Sequence, residues 1–479
     1  MNSACPGILP DCGTQSTISP ATLAAALLCI LLASCSPSTQ STKGPPPPTS
    51  FTLTRLSTDT FTNPDGQHAT ELESSTFAFG STLVTSFEVA RGAGHAGGAD
   101  IGFATSTDAG ATWTSGFLSG LTSVMGGSFT ATANAVVTYD AAHGVWIIET
   151  LLVNFPPTAA NTALVVVRSS DGIHWGNPIT VDATTDPDKP WIGCDNTARS
   201  PFFGHCYVQW ENSDVGTIFM STSRDGGLTW GPPENPAGSP LGIGGQTLVQ
   251  PNGTVVVPIN TATDFDNGPF NLSAFMSTDG GASWTAPVTI SPDPPYHASF
   301  DFRAGANPSA GADSAGSVYV VWADCRFRAG CSSNDLVIST SADGLTWTSP
   351  ARIPIDAVTS TVDHFKPGLA VDPATSGSTA HLTLTFYSYT QADCTDSTCQ
   401  LNLGFVSSQD GGNTWSSAQT LAGPMSITWL PETALGRDVG DYMSASYVNG
   451  RAFGVFAIAN PNNGAELDQA IYTTTQPLD

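Results

Sequence analysis

The sequence predicts an all-β protein, a β-propeller of four-stranded blades repeated around one axis, and three observations lead there. Only 11% of the 479 residues are charged, while Gly (48) and Pro (35) are plentiful, a composition that favours short strands joined by tight turns. A short motif recurs six times along the chain, and self-similarity at such intervals marks a repeat architecture. Two β-like runs precede each copy, so every repeat contains the material of a small sheet.

The motif places Ser first, Asp two positions later, then Gly, and Trp last. Four copies have full length: Ser106 to Trp113, Ser223 to Trp230, Ser277 to Trp284 and Ser408 to Trp415. Two are one residue shorter: Ser169 to Trp175 and Ser341 to Trp347. The residue types have a mechanical purpose. The carboxylates of Asp108, Asp171, Asp225, Asp279, Asp343 and Asp410 can accept backbone N–H bonds across a tight turn, and Gly accepts a positive φ there. The Trp then opens the next strand and can bury its ring against a neighbouring repeat.

The blades can be read strand by strand, most clearly in the fifth. Asn307 to Gly316 forms its inner strand, followed by Ser317 to Asp324, Asp335 to Ser341 and Thr346 to Ile353. The same order recurs over residues 71–118, 132–182, 190–235, 245–290 and 367–421. After the sixth motif, Gly440 to Val448, Arg451 to Ala459 and Asp468 to Thr474 supply three more strands, and Phe51 to Phe61 can supply a fourth from the other end of the chain. Pairing the two ends would close the ring and remove its exposed edges. The expectation is therefore seven four-stranded blades over residues 51–479 with terminal strand closure, six blades being the alternative.

The repeats resemble the Asp box, or bacterial neuraminidase repeat, of the sialidase superfamily. That resemblance implies a motif on the turn between third and fourth strands, away from the ligand face, so its Asp residues are structural. It also implies a sialidase-like glycoside hydrolase acting on anionic terminal sugars of glycans. A non-catalytic glycan- or protein-binding propeller is the alternative, because a fold hosts many functions. A lyase or hydrolase for uronate-containing polysaccharide is a third possibility.

On this topology the ligand face carries the loops leading into each inner strand and those between second and third strands. The former hold His68, Glu71, Asp186, Asp188, Lys189, Gln246, Asp301, Arg303, Asp363, His364, Lys366, Arg437, Asp438, Asp441 and Tyr442; the latter hold Arg91, Glu211, Asp264, Asp266, Asp324, Arg326, Arg328, Tyr387 and Tyr389. With eleven Arg in the chain, Arg303, Arg326, Arg328 and Arg437 stand out as substrate-binding residues, since a guanidinium can fork around a sugar carboxylate. By resemblance, Tyr442 is the candidate nucleophile, Glu71 its base, and Asp188 or Asp363 the acid, a phenol being spared the repulsion a carboxylate meets from an anionic substrate. The alternative for Arg326 and Arg328 is pairing with Asp324 or Asp335. Arg352-Ile353-Pro354 spells a sialidase arginine motif but follows the fifth repeat instead of preceding the first, so one arginine of the family triad has no counterpart.

The net charge of −26 disfavours nucleic acid and anionic lipid as partners. Residues 1–34 read as an export signal, with an apolar stretch from Ala21 to Leu32 that is short for a membrane span. Leu32-Ala33-Ser34-Cys35 resembles a bacterial lipobox, which makes Cys35 the lipidated residue, although no Lys or Arg precedes Lys43. A Pro/Ser/Thr-rich linker follows, over residues 35–50. The expected product is a cell-envelope lipoprotein at the outer membrane or cell surface, plain secretion being the alternative, and a monomer that touches membrane only through its lipid. Cys194 with Cys206, Cys325 with Cys331, and Cys394 with Cys399 form three local pairs suited to disulfides in an oxidising compartment. No cofactor is expected. No metal site is expected either, because the cysteines lack zinc spacing and Asp264-Phe265-Asp266-Asn267 lacks the spacing of a calcium loop.

Overall fold

Six short turns organise the chain, and each is locked by its own side chains. In the computed structural model, which describes residues 51–92, 97–155, 161–265, 268–305, 307–462 and 466–478, Asp108 Oδ1 accepts from the Thr112 N–H (2.8 Å) and from Ser106 Oγ (2.8 Å). Asp108 Oδ2 accepts from Thr112 Oγ1 (2.6 Å), and Ser106 Oγ accepts from the Gly110 N–H (2.8 Å). These bonds to the charged form hold the Asp108 carboxyl down at about 2, the Thr112 hydroxyl contributing most. The same Ser-to-Asp and backbone-to-Asp bonds recur at Asp171, Asp225, Asp279, Asp343 and Asp410. In five of the six repeats the turn joins the third strand to the fourth, as between Gly98–Ser106 and Thr114–Phe117.

The tryptophans lie between repeats. Trp175 packs on Phe103 of the preceding repeat (ring centroids 5.8 Å) and Trp284 on Tyr207 (6.1 Å), while Trp113 shares an apolar cluster with Phe453 of the last sheet. Burial of such rings links each sheet to its neighbour. Among the described residues all regular elements are strands and single 3-10 turns, and residues 50–479 cluster as one unit.

The hydrogen bonding corrects the expected blade count. Neither seven nor six separate four-stranded blades form; counted as continuous sheets of four or more strands, the propeller arrangement has five. Two local causes account for the difference. A bridge between Gly98 and Thr132 joins the first two expected blades into one sheet of eight strands. In the third, Pro232, Pro233 and Pro236 deny the outer segment its ladder donors, leaving the three strands Pro187–Cys194, Cys206–Asn212 and Ile218–Ser223 with one isolated bridge from Met220 to Glu234. A two-stranded ribbon, Glu432–Thr433 with Gly436–Arg437, stands apart from all of these.

The axis is ringed by inner strands packed side by side: Glu71–Phe79, Ala131–Asp140, Pro187–Cys194, Leu248–Val249, Ser309–Ala312, Asp363–Val371 and Ser444–Val448. The blades counted as separate sheets are therefore fewer than the strands at the hub. Leu53–Arg55 pairs antiparallel with Gln469–Thr474, in the sheet that also holds Arg451–Ala459 and Ser444–Val448. Three disulfides join Cys194 to Cys206, Cys325 to Cys331 and Cys394 to Cys399, the pairs the spacing suggested. Cys35, the leader, the linker and Asp266 lie outside the described residues.

Candidate functional site at the propeller hub

Four inner strands break their ladder at corresponding points near the end away from the repeat turns. Register shifts fall between Leu72 and Ser75, Ala133 and Val136, Asp188 and Trp191, and Phe365 and Gly368. Each bulge holds one residue with positive φ: Glu73 (59°), Asn134 (52°), Lys189 (41°) and Lys366 (49°). A left-handed conformation costs a residue other than Gly on the order of 1 kcal/mol or more, so four polar residues strained alike around one axis mark the hub as a built feature.

Their side chains meet around Asp441. Arg303 forks onto its carboxylate, Nε to Oδ1 at 2.9 Å and NH2 to Oδ2 at 2.7 Å, and the Lys189 ammonium binds Oδ2. The Asp441 N–H donates to Glu73 Oε1 (3.0 Å), which also accepts from Asn134 Nδ2 (3.1 Å), and the Lys366 ammonium donates to the Gly440 carbonyl. Gly440 is required here: its φ is 101°, and a Cβ would lie 2.3 Å from the Glu73 backbone. Beneath this layer Arg91 pairs with Glu88 (3.0 Å) and approaches Asp438 (3.7 Å).

The electrostatics follow from burial opposed by close charges. Burial alone would raise the Asp441 carboxyl, but Lys189, Arg303 and Lys366 hold it well below the usual range. Burial likewise works against the Lys189 and Arg303 cations, and Asp441 first among their partners overrides it, so both stay charged. Lys366 lacks such a partner, and burial pushes its ammonium down despite Asp441 and Asp438. Burial, then the neighbouring Glu88, pushes the Glu73 carboxyl well up; Glu149 and Glu211 are raised chiefly by burial.

Tyr442 follows Asp441 and packs edge-on against Trp191 (centroids 5.3 Å), its hydroxyl donating to the Ala135 carbonyl at 3.4 Å. Burial, then Glu73, Glu88, Glu149 and Asp441, pushes its phenol far up, so it is neutral at physiological pH. A narrow cleft at the hub mouth is lined by Lys189, Trp191, Gln246, Asn307, Asp441 and Tyr442. A wider axial cavity of about 520 Å³ continues toward the repeat turns, lined mainly by apolar and small residues, among them Trp191, Val249, Val371 and Tyr447.

Of the ligand-face residues read from the sequence, the hub holds Lys189, Gln246, Lys366, Asp441, Asp438 and Arg91, and of the catalytic and substrate-binding candidates it brings together Arg303 and Tyr442, with Asp188 adjoining through Lys189. The other catalytic and substrate-binding candidates lie elsewhere. Glu71 faces Ser57, Arg55 and Asp59, and the carboxylates acting on Tyr442 are Glu73, Glu88 and Glu149 instead. Arg326 binds Asp324 and Ser291; Arg328 is buried against Asp335 and Asp356. Arg437 joins Arg303 through its backbone, but its guanidinium turns to the Leu430 carbonyl (3.1 Å) and lies 3.9 Å from Asp301. Asp363 accepts from Ser299 and Asn334. The sequence reading overlooked Glu73, Glu88, Asn134 and Glu149. Glu149 carried a usable signal, a lone charge inside Val145–Asn154, an otherwise apolar strand.

Asp335, Asp356 and His364 lie close enough to share a metal ion, yet Arg328 and Arg352 already bridge the two carboxylates, and two guanidiniums would repel a cation.

Fold and hub together define a propeller with a charged, self-paired cluster at the mouth of its axis. No protein-family model matches the chain, and no curated protein matches it by sequence. Among solved structures it is similar to an ulvan lyase described as a new family of polysaccharide lyase, bound to a -[GlcA(1-4)Rha3S]- saccharide (10% identity, 88% of this chain and 95% of that chain, TM-score 0.52). It is also similar to the endosialidase of phage phi92 (10% identity, 90% and 69%, TM-score 0.48) and to the NanB sialidase of Streptococcus pneumoniae (13% identity, 89% and 70%, TM-score 0.42). At 10% identity the likeness to the lyase establishes the fold and nothing beyond it.

Proposed function

We propose that this chain is an exported, lipid-anchored propeller that recognises acidic carbohydrate at the hub mouth, with sialidase-like hydrolysis of a terminal anionic sugar as its reaction. One observation carries the reading: Lys189 and Arg303, with side chains 14% and 20% exposed, stand beside Tyr442 and Trp191 at the open end of the axis. Asp441 occupies Nε and NH2 of Arg303 and one donor of the Lys189 ammonium, which leaves two Lys189 N–H groups, and Arg303 NH1 with only a 4.0 Å ion pair to Asp438, to meet a ligand carboxylate. Trp191 offers an aromatic ring alongside, of the kind found in ligand clefts.

A second reading, glycan binding without turnover, is favoured by a specific observation. Arg326, Arg328 and Arg437 do not join Arg303 in an anion clamp, and the Tyr442 phenol is held neutral among carboxylates. Purified protein assayed on a panel of fluorogenic sialosides, with calorimetry against sialyllactose and oligoglucuronate, separates the two. Turnover lost in Arg303→Ala and Tyr442→Phe supports the hydrolase. Binding without turnover, abolished in Arg303→Ala, selects the second reading, and absence of both rejects the function.

A further inference from the structure

We propose that His297, oriented by Asp363, forms with Phe300, three residues further on, a hydroxyl-binding subsite on the segment that leads to Arg303 of the hub. It takes the sugar next to the acidic one, and so rests on the carbohydrate reading above.

The site is built around a fully buried carboxylate. Asp363 Oδ1 accepts from the Asn334 N–H (2.7 Å) and Nδ2 (2.9 Å), and Oδ2 from Ser299 Oγ (2.9 Å). Asn334 in turn clamps the backbone of His297, its Oδ1 accepting from the His297 N–H (2.8 Å) and its Nδ2 donating to the His297 carbonyl (2.8 Å). With its backbone fixed, the imidazole turns Nδ1 toward Asp363 Oδ2 at 3.4 Å, a long hydrogen bond. An acceptor on that side selects the tautomer with the proton on Nδ1 and leaves a lone pair on Nε2. Nε2 has no protein partner among the described residues, and the His297 side chain is 26% exposed. It is therefore an acceptor open to solvent and held in place from behind.

Phe300 stands three residues further on, 41% exposed, with its carbonyl accepting from Tyr389 Oη (3.1 Å). A sugar ring needs these two partners together: an acceptor for a hydroxyl and an apolar plane for its C–H face. The same segment continues to Arg303, whose N–H donates to the Arg437 carbonyl (2.8 Å), while the Asp301 carbonyl accepts from the Arg437 N–H (2.8 Å). One anchored stretch, residues 297–303, thus runs from the acceptor to the cation that holds Asp441.

Ethoxyformylation of the purified chain by diethyl pyrocarbonate, mapped by mass spectrometry, tests this, together with ring-nitrogen shifts of ¹⁵N-histidine-labelled wild type. The expected wild type shows His297 protonated on Nδ1 and acylated on Nε2. Asp363→Asn, which keeps an acceptor for the Asn334 N–H, slows acylation roughly tenfold, the lower end of what an orienting partner contributes. Saturating sialyllactose protects His297 in the wild type. A His297 protonated on Nε2, or acylated equally fast in Asp363→Asn, overturns the dyad without bearing on the hub. Sialyllactose that binds in an Arg303-dependent way but leaves His297 unprotected overturns the subsite alone. An oriented His297 in a protein that binds neither sialyllactose nor oligoglucuronate overturns the carbohydrate reading and the ligand named here.

Discussion

Replacing Glu71 with Gln should remove a pH-dependent weakness from the sheet where the two chain ends meet. Glu71 has no solvent exposure, and burial pushes its carboxyl up to about 8, with Arg55 opposing and Asp59 adding to the shift. In the unfolded chain it titrates at the ordinary glutamate value of 4.5. The raised folded value fixes the sign: below the unfolded value the carboxyl is protonated in both states and costs nothing. As pH climbs from 4.5 toward about 8 the unfolded chain gives up its proton while the native state must hold it, so stability falls across that window and levels off above the folded value. The gap from 4.5 to about 8 corresponds to at most about 5 kcal/mol, and relaxation around the charge should leave about half of that. Urea unfolding followed by tryptophan fluorescence at about pH 5 and about pH 8.5 measures the effect. Glu73, Glu149 and Glu211 shift in the same direction, so the wild-type slope alone is not diagnostic. The difference between wild type and Glu71→Gln is. It should be small at the lower pH and grow by about 2–3 kcal/mol at the higher. Equal pH dependence in the two proteins would refute the reasoning.

Two other substitutions probe the hub and the repeat turn. Asp441→Ala leaves Lys189 and Arg303 facing an empty carboxylate position, and breaking one side of a buried ion pair costs about 3–5 kcal/mol. The thermal midpoint should fall and be partly restored by millimolar formate or acetate but not by chloride at equal ionic strength; no anion preference would show that the cations do not form a carboxylate-shaped site. Ala109 has φ of 57° where three sister turns place Gly226, Gly280 and Gly411 at 72°. Ala109→Gly should therefore stabilise by roughly 0.5–1 kcal/mol in chemical denaturation, and a loss of stability would contradict the strain assigned to that turn.

The parts of the structure that depend on neighbouring residues were legible in the sequence. Ser106, Asp108, Gly110 and Thr112 bond to one another within one turn, so their spacing carries the geometry. The blade count depends on what the strands do at their edges. A single bridge at Gly98 fuses two sheets without any pattern to announce it, whereas the four-strand order expected over residues 190–235 takes no account of the prolines after Trp230, which deny a fourth strand its ladder donors. The hub was legible only in part, because Glu73, Asn134, Lys189 and Lys366 come from strands far apart in sequence and owe their placement to bulges that alternation does not reveal. The scarcity of arginine misdirected the choice of ligands for a related reason. In a chain with 40 acidic and 14 basic residues, acids folded away from water need counter-ions, and a guanidinium is well suited to that task. Arg326 serves Asp324; Arg328 and Arg352 together serve Asp335 and Asp356. A rare cation in such a chain therefore points first to the nearest buried carboxylate. It points to a ligand only where, as at Lys189 and Arg303, donors remain at an open mouth after that carboxylate is satisfied.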